Sequence, residues 1–458
     1  MSMLSSILKT ESIAVVGATP KEGKIGRLVV ENLLRAGFKG KIYPVNPRYN
    51  EILGLKTYPS LRDIPGKVDL VVVAVPAEAV PNVVDDAVDK GVNVVVVLSA
   101  GFSEAGRKDL EEEILRRARR GGVRIIGPNC AGVSIPGIGL HASFEEVFSP
   151  GSVALLGQSG AYLTALAEIL SRRGVGVSFY ASLGNRVDVG EEELMDILLE
   201  HDETKVIALY IEGLREGQGS KLLKIGSKIT SYKPVIVHKA GWSSAGARAA
   251  LSHTGSLAGS YHVYMAAFKQ AGFIIVDDLD LMVDVAEVLS WNKSLPNGMP
   301  VILTNSGGHG VTIADHLEAM GIKVPELSSK LKETISKLLP PHASLSNPID
   351  MLAEGTPEKY AEILDILLSS NEIGGVIVIH NPPPMIDAVK VAEAIVKVWD
   401  EHNRDKPLVT FFAGFNISSA VKYLRERKVP VTMTHRGCAK AVSSLYEYSE
   451  IVRKKRIG

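Results

Sequence analysis

The stretch IAVVGATPKEGKIG, Ile13–Gly26, decides the fold. Ile13–Val16 is apolar at every position, which reads as a strand covered on both faces, the habit of parallel sheets. Gly17 opens a loop that also carries Gly23, and Gly26 stands where a helix begins. Exposed N–H groups at such a helix start suit a phosphate or another anion.

Working outward, the same unit recurs: a short apolar, β-branched run, a turn bearing Gly or Asn, then a helical stretch. The runs include Val68–Val75, Val92–Leu98, Val123–Ile126, Val153–Leu156, Val175–Tyr180, Val206–Ile211 and Val235–His238, then Ile274–Val276, Val301–Thr304, Val376–Ile379 and Leu408–Phe412. Helical stretches such as Leu28–Ala36 and Leu110–Arg119 supply the crossovers that parallel strands need. The fold class is α/β with parallel sheets.

Two stretches read as boundaries. Pro136–Pro150 is rich in Gly and Pro and poor in strand pattern, and Trp291–Pro300 contains SLPNGMP. They divide the chain into 1–148, 149–293 and 299–458. The later pieces share a motif: ALLGQSG (Ala154–Gly160) matches VILTNSGGHG (Val301–Gly310), and PVIVHKAG (Pro234–Gly241) matches PLVTFFAG (Pro407–Gly414). A Rossmann-like domain followed by two related flavodoxin-like domains is expected.

Composition narrows the function. Lys plus Arg and Asp plus Glu both total 51, so no net positive charge favours nucleic acid or a membrane surface. Two cysteines exclude a disulfide framework and a cysteine-rich metal site, and no metal site is expected on this chain. The opening MSMLSSILKTES has no signal-peptide pattern, and no run approaches a membrane span of about 18 apolar residues. A cytoplasmic protein is expected.

The first domain reads as a nucleotide fold that is not built for NAD. Gly17, Gly23 and Gly26 do not make G-x-G-x-x-G, and the second strand, KIYPVNPRY (Lys41–Tyr49), lacks the acid that would hold ribose hydroxyls. It ends instead in Asn46, Pro47 and Arg48, with Lys39 and Lys41 nearby. Amide plus cation suits an extra phosphate, that of NADP or the 3′-phosphate of coenzyme A. AVP (Ala74–Pro76), LSAGF (Leu98–Phe102) and GPNCAG (Gly127–Gly132) fall at carboxyl ends of strands, where open α/β sheets bind ligands.

In the second domain, His253 stands apart from the other histidines. It lies in GWSSAGARAALSHTGSLAGS (Gly241–Ser260), a run of small residues read as a mobile loop, with Thr254-Gly255-Ser256 opening a helix at Leu257–Gln270. Ser159-Gly160 and Ser306-Gly307-Gly308 open two further helices. Their N–H groups could cradle one phosphate without cations. A nucleophilic imidazole needs a carboxylate to orient it. Glu212 in ALYIEG (Ala208–Gly213), just past an apolar strand, is the candidate.

In this order, GATPKEGKIG, YPVNP, AVP, LSAGF, GPNCAG, LLGQSGAYLT, SLGNRVDVG, YIEG, ALSHTGSLAG and TNSGGHG resemble the α subunit of the ADP-forming acetyl-CoA synthetases, in the succinyl-CoA synthetase superfamily. The resemblance covers nearly the whole chain. It implies a coenzyme A site formed by Gly17, Thr19, Lys24, Asn46, Pro47, Arg48, Val75, Pro76, Ser99, Gly101 and Phe102. It implies that His253 is phosphorylated with Glu212 as its orienting partner. Asn129, Ser159, Gly160, Thr254, Gly255, Ser306, Gly307 and Gly308 would hold phosphate or the acyl end.

No ATP-grasp domain is legible in this chain. The resemblance places that domain, with ADP/ATP and Mg²⁺, on a separate β subunit of an α2β2 heterotetramer. The implied reaction is acetyl-CoA, phosphate and ADP to acetate, coenzyme A and ATP through acetyl phosphate. The rival readings are a coenzyme A-binding regulatory protein of the same fold, an isoform for branched or aromatic acyl groups, and a nucleotide-dependent dehydrogenase. The NPID segment (Asn347–Asp350) carries no role at this level, and Cys130 reads as a small apolar filler.

Overall fold

The structure, a computed structural model, describes residues 3–254, 260–295 and 298–457; the side chains of 250–254 and 456–457 lie outside that description. The chain forms two units, Met1–Arg172 with Gly176–Asp277, and Arg173–Val175 with Asp278–Gly458.

Among the described residues, the first unit holds two large sheets and a two-stranded one. The strands of one are β1 (Ser12–Val16), β2 (Lys41–Val45), β5 (Leu70–Val73), β6 (Val94–Val97) and β7 (Arg124–Ile126), with a small hairpin, β3 (Glu51–Ile52) and β4 (Leu55–Lys56), beside them. The order is β2-β1-β5-β6-β7, all parallel. Every residue of β1, β5 and β6 is buried, because helices cover both faces. The strand order reverses between β1 and β5, so the loops after Val16 and Val73 diverge and leave a crevice.

The other sheet is built from β8 (Gly132–Ile135), β9 (Leu140–Ser143), β10 (Pro150–Gly157), β11 (Val177–Ser182), β12 (Val206–Ile211), β13 (Val235–Lys239) and β14 (Ile274–Val276). Its order is β14-β13-β12-β10-β11-β8-β9. β10 to β14 pair in parallel, while β8 runs antiparallel to β11 and β9 antiparallel to β8. Its switch point lies at β10, which places the ends of β10 and β12 side by side.

The Pro136–Pro150 stretch, read as poor in strand pattern, contains β9. LHAS lacks the β-branched signal of a strand. It pairs because its polar groups find internal partners, Ser143 Oγ donating to the Ala131 carbonyl (2.6 Å) and His141 Nδ1 meeting Ser134 Oγ (2.8 Å).

In the second unit, β15 (Pro300–Thr304), β16 (Ile349–Asp350), β17 (Gly375–His380), β18 (Leu408–Phe412) and β19 (Val431–Thr432) form a parallel sheet of order β16-β15-β17-β18-β19. The helix Leu279–Trp291 belongs to this unit and packs on the C-terminal helix His435–Ile457, although the sequence reading gives it to 149–293. Its Glu287 carboxylate accepts from the Val431 N–H (2.9 Å) and pairs with Arg425 (3.3 Å).

The small-residue stretch expected as a loop is also different. Ser244–Thr254 is a helix, so the backbone of His253 lies in its last turn. Ala-rich sequence favours helix, and Ser243 starts it: its Oγ accepts from the Gly246 N–H (3.1 Å). The next described helix begins at Tyr261.

Candidate functional site

Gly17 ends β1 with φ of +90°, and its N–H donates to the Val45 carbonyl (3.0 Å). A Cβ there would lie 2.5 Å from the Ala74 carbonyl oxygen. A Cβ on Gly26 would lie 2.1 Å from the Gly17 carbonyl oxygen, so the helix Ile25–Arg35 starts directly against the turn. The Lys24 side chain leaves that helix start uncapped. Free N–H groups there remain available to an anion.

Around this turn lie two adjoining clefts of about 530 and about 500 Å³. Gly17, Thr19, Lys24, Asn46 and Arg48 line the first. Pro47, Arg48, Val75 and Pro76 line the second. Asn46 is a brace within the chain: its Nδ2 donates to the Ala18 carbonyl (2.8 Å) and its Oδ1 accepts from the Arg48 N–H (3.0 Å). It thereby ties the end of β2 to the loop after β1 and aims Arg48 at the cleft mouth.

Phe102 lies in the core and does not line these two clefts or the one at Asn129. Its ring is fully buried in the core, and its N–H, like that of Gly101, donates to Glu104. Burial pushes the Glu104 carboxyl up, but hydrogen bonds from Asn185, Gly101 and Phe102 outweigh it and hold the group below its ordinary value.

A third cleft of about 430 Å³ brings together Ser99, Asn129, Ser159 and Gly160. Asn129 has φ of +56° and its Nδ2 donates to Asn185 Oδ1 (3.3 Å). Ser159 caps the helix Gly160–Arg172, its Oγ accepting from the Tyr162 N–H (3.4 Å). Gly160 has no room for a side chain: a Cβ would meet Ala131 at 2.6 Å. Cys130 also faces this cleft, but burial pushes its thiol up to about 12 and its sulfur donates to the Val97 carbonyl (3.2 Å), so it is inert packing.

Glu212 is buried just past β12, beside the switch point. Gln158, the neighbour of Ser159, holds the turn: its Oε1 accepts from the N–H groups of Glu212 (2.9 Å) and Gly213 (3.2 Å), and its Nε2 donates to the Gly213 carbonyl (3.0 Å) and to Glu191 (2.6 Å). Lys239 Nζ donates to the Glu212 carbonyl (2.8 Å), and burial lowers this amine from its ordinary value. The Tyr264 hydroxyl accepts from the Leu214 N–H (2.9 Å). Burial, then the Glu212 charge and hydrogen bond, push the Tyr210 phenol up. Tyr210 also stacks on Tyr162 at 4.1 Å. His253, Thr254 and Gly255 carry the remaining expectations; their side chains, and Gly255 altogether, lie outside the described residues.

In the second unit, Ser306-Gly307-Gly308 does open a helix, Gly307–Ala319, at the end of β15. The Asp350 carboxylate lies beside this start, 2.6 Å from where a Gly307 Cβ would stand. The unassigned NPID segment thus places its acid over the phosphate-binding candidate, while its Asn347 braces β15 through Ile302 N–H (3.0 Å).

Sequence reasoning missed Gln158, Lys239, Ser182, Glu145 and Asp350. Gln158 was legible beside Ser159 within GQSG, and Ser182, Lys239 and Asp350 lie in SLGNRVDVG, PVIVHKAG and NPID without a role being read from them; Glu145 carries no local signal. Among the described residues, no cluster of three or more His, Cys, Asp or Glu side chains could hold a metal ion. No described helix is long and apolar enough to cross a membrane.

Three family models match the chain: a CoA binding domain over residues 11–136, a succinyl-CoA ligase like flavodoxin domain over 150–289, and a Ligase-CoA domain over 300–450. The chain is 38% identical to the α subunit of acetate–CoA ligase (ADP-forming) II of Pyrococcus furiosus, over 98% of this chain and 99% of that one. It is 39% identical over 97% of its length to acetate–CoA ligase (ADP-forming) of Methanocaldococcus jannaschii, and spans 63% of that protein. It likewise spans 64% of the corresponding ligase I of Archaeoglobus fulgidus. Its structure superposes with a TM-score of 0.95, at 36% identity and 99% coverage of both chains, on a Ca. Korarchaeum cryptofilum dinucleotide forming acetyl-coenzyme A synthetase 1 in complex with phosphate and ADP.

Proposed function

The chain belongs to the family of ADP-forming acetate–CoA ligases, in the succinyl-CoA synthetase superfamily, and we propose that it is the coenzyme A- and histidine-bearing part of such an enzyme. The reaction is reversible acetyl-CoA plus phosphate plus ADP to acetate, coenzyme A and ATP. Phosphate oxygen attacks the thioester carbonyl, the C–S bond breaks, and acetyl phosphate and the coenzyme A thiol result. A nitrogen of His253 then attacks phosphorus, the acyl C–O–P bridge breaks at P–O, and acetate leaves. The phosphoryl group passes from His253 to ADP. In the reading, 1–148 binds coenzyme A and 149–293 carries the histidine.

The observation that carries this is the Gln158 clamp. It joins the Glu212–Gly213 turn to the residue before Ser159-Gly160, so a buried carboxylate and an anion-binding helix start sit on one rigid edge. A fixed carboxylate can hold an imidazole in one tautomer and stabilise the charge it gains. The Ser159 helix start can stabilise the phosphate without a cation, which lets the group leave again.

The nucleotide and Mg²⁺ would sit on an ATP-grasp partner, a β subunit in an α2β2 assembly. The naming of the Pyrococcus furiosus relative as a subunit supports a partner, and the Korarchaeum protein's phosphate and ADP support the ligands. The place of work would be the cytoplasm.

The test is phosphorylation of the purified chain by acetyl-CoA and labelled phosphate, wild type beside His253→Ala. Acid-labile, base-stable label in wild type alone is expected. Equal label or equal turnover in His253→Ala overturns the scheme. Coenzyme A binding without label, even with an ATP-grasp partner and ADP present, moves the reading to a regulatory coenzyme A-binding protein.

A further inference from the structure

The third cleft contains one carboxyl that the proposed reaction does not use. At about 430 Å³ it is in the size class of small-ligand pockets, and Glu145 is its sole carboxyl among the described lining residues. The backbone of Glu145 is pinned from three sides. Its N–H donates to Ser143 Oγ (3.1 Å), and its carbonyl accepts from Asn32 Nδ2 (2.7 Å) and meets His141 Nε2 (3.0 Å). These contacts fix the main chain of Glu145 at the cleft wall.

Among the described residues, the carboxyl has one hydrogen-bond partner, the Thr164 hydroxyl, which also meets the Tyr180 hydroxyl at 3.3 Å. Among the described residues, no cation is paired with it. Arg35, the nearby guanidinium, is taken by Glu146 at 3.0 Å. His141 is kept neutral by burial, its pKa lowered to about 4, and the Tyr180 phenol is pushed up by burial. Facing the same cleft is Ser182, fully buried, whose Oγ has no hydrogen-bond partner among the described residues. A buried hydroxyl without a partner is unfavourable, so a ligand atom that meets it is favoured. An acyl group of plain hydrocarbon would satisfy neither Glu145 nor Ser182.

We propose that this cleft takes an acyl group carrying a hydroxyl, the Glu145 carboxylate accepting the hydroxyl's hydrogen bond and Ser182 donating to an acyl or phosphate oxygen. The same carboxylate turns away acyl groups with a second carboxylate, because like charges in a half-buried site repel. The assignment rests on the ligase reading and sharpens its acyl group. Glu145 is in this account the specificity-determining residue.

The experiment compares equilibrium binding of 4-hydroxybutyryl-CoA, butyryl-CoA and succinyl-CoA to the whole chain, as wild type, Glu145→Ala and Glu145→Gln. Wild type should bind the hydroxyacyl thioester about 10- to 100-fold more tightly than butyryl-CoA, the range for a hydrogen bond to a charged acceptor. Glu145→Ala should lose that ratio. Glu145→Gln, whose amide oxygen still accepts, should keep part of it while binding succinyl-CoA better. Equal binding of the pair by wild type, or an unchanged ratio in Glu145→Ala, overturns the proposal. A binding preference with no labelling of the chain by any of these thioesters or by acetyl-CoA sinks the ligase reading and leaves the cleft assignment standing.

Discussion

Gln158 brackets the peptide that follows Glu212: its Oε1 receives the N–H groups of Glu212 and Gly213 at 2.9 and 3.2 Å, while its Nε2 reaches the Gly213 carbonyl at 3.0 Å. Few side chains can do this. An amide offers a donor and an acceptor in one plane, matching the turn's own groups. The neighbouring Glu191 takes the other amide hydrogen at 2.6 Å and is itself paired with the buried Arg186 at 3.2 Å.

Gln158→Ala should therefore loosen Glu212 without removing it. Three buried backbone groups would lose their partner, each worth about 1–3 kcal/mol when left unsatisfied. The expected result is a clearly lower melting temperature and a fall of about 10- to 100-fold in phosphoryl transfer to His253, with coenzyme A affinity retained. Unchanged transfer in a destabilised protein would show that the clamp serves stability alone.

Glu212→Gln removes the charge and keeps the shape. The Tyr210 phenol, which burial and then Glu212 push up, should titrate lower in this variant while staying above its ordinary value. Ultraviolet titration of tyrosinate reads the shift, and labelling of His253 should slow in parallel. A phenol that does not move would place the Glu212 charge away from Tyr210.

Gly26→Ala tests the coenzyme A turn. The new methyl would lie 2.1 Å from the Gly17 carbonyl oxygen, a backbone atom that cannot step aside. The helix start must lift from the loop, at a cost of about 1–3 kcal/mol or more. Weaker coenzyme A binding by calorimetry is expected, together with a lower melting temperature.

Arg48→Ala tests which end of the ligand meets the cation. Arg48 lines both clefts beside Asn46. If it faces the 3′-phosphate, wild type should prefer coenzyme A over dephospho-coenzyme A about tenfold or more, and the variant should lose that preference. An equal loss for both ligands would assign Arg48 to the pyrophosphate instead.

His141 makes stability depend on pH. Burial disfavours its imidazolium and lowers its pKa from 6.5 to about 4. The unfolded chain takes up this proton near 6.5 while the folded chain resists until about 4. Stability is then full above the unfolded value and falls with falling pH across that window, by about 3 kcal/mol from this group. Urea unfolding at about pH 7 and about pH 4.5 should show the loss in wild type and a smaller loss in His141→Gln.

The fold was legible because parallel strands buried on both faces are apolar without interruption, as Leu70–Val73 and Val94–Val97 are. Strand ends were legible too, since Gly17, Asn46 and Pro76 punctuate them, and the structure brings these residues around adjoining clefts. Motif position says nothing about side-chain direction, and the Phe102 ring turns into the core. The helix Ser244–Thr254 was missed because small residues read as loop until alanine's helix preference and the Ser243 cap are weighed together.

What the sequence determined by itself is local: which segments are strands, where each stops, and which strand ends offer N–H groups, amides and cations. Tertiary structure alone decided the pairings between distant segments. Nothing near Glu145 announces that it will share a cleft with Ser159 and Ser182, and nothing in NPID announces that Asp350 will stand against Gly307. Hydrophobic periodicity is a property of neighbours along the chain. A site is made where sheet order brings carboxyl ends together from far apart, and that order follows from packing the whole chain.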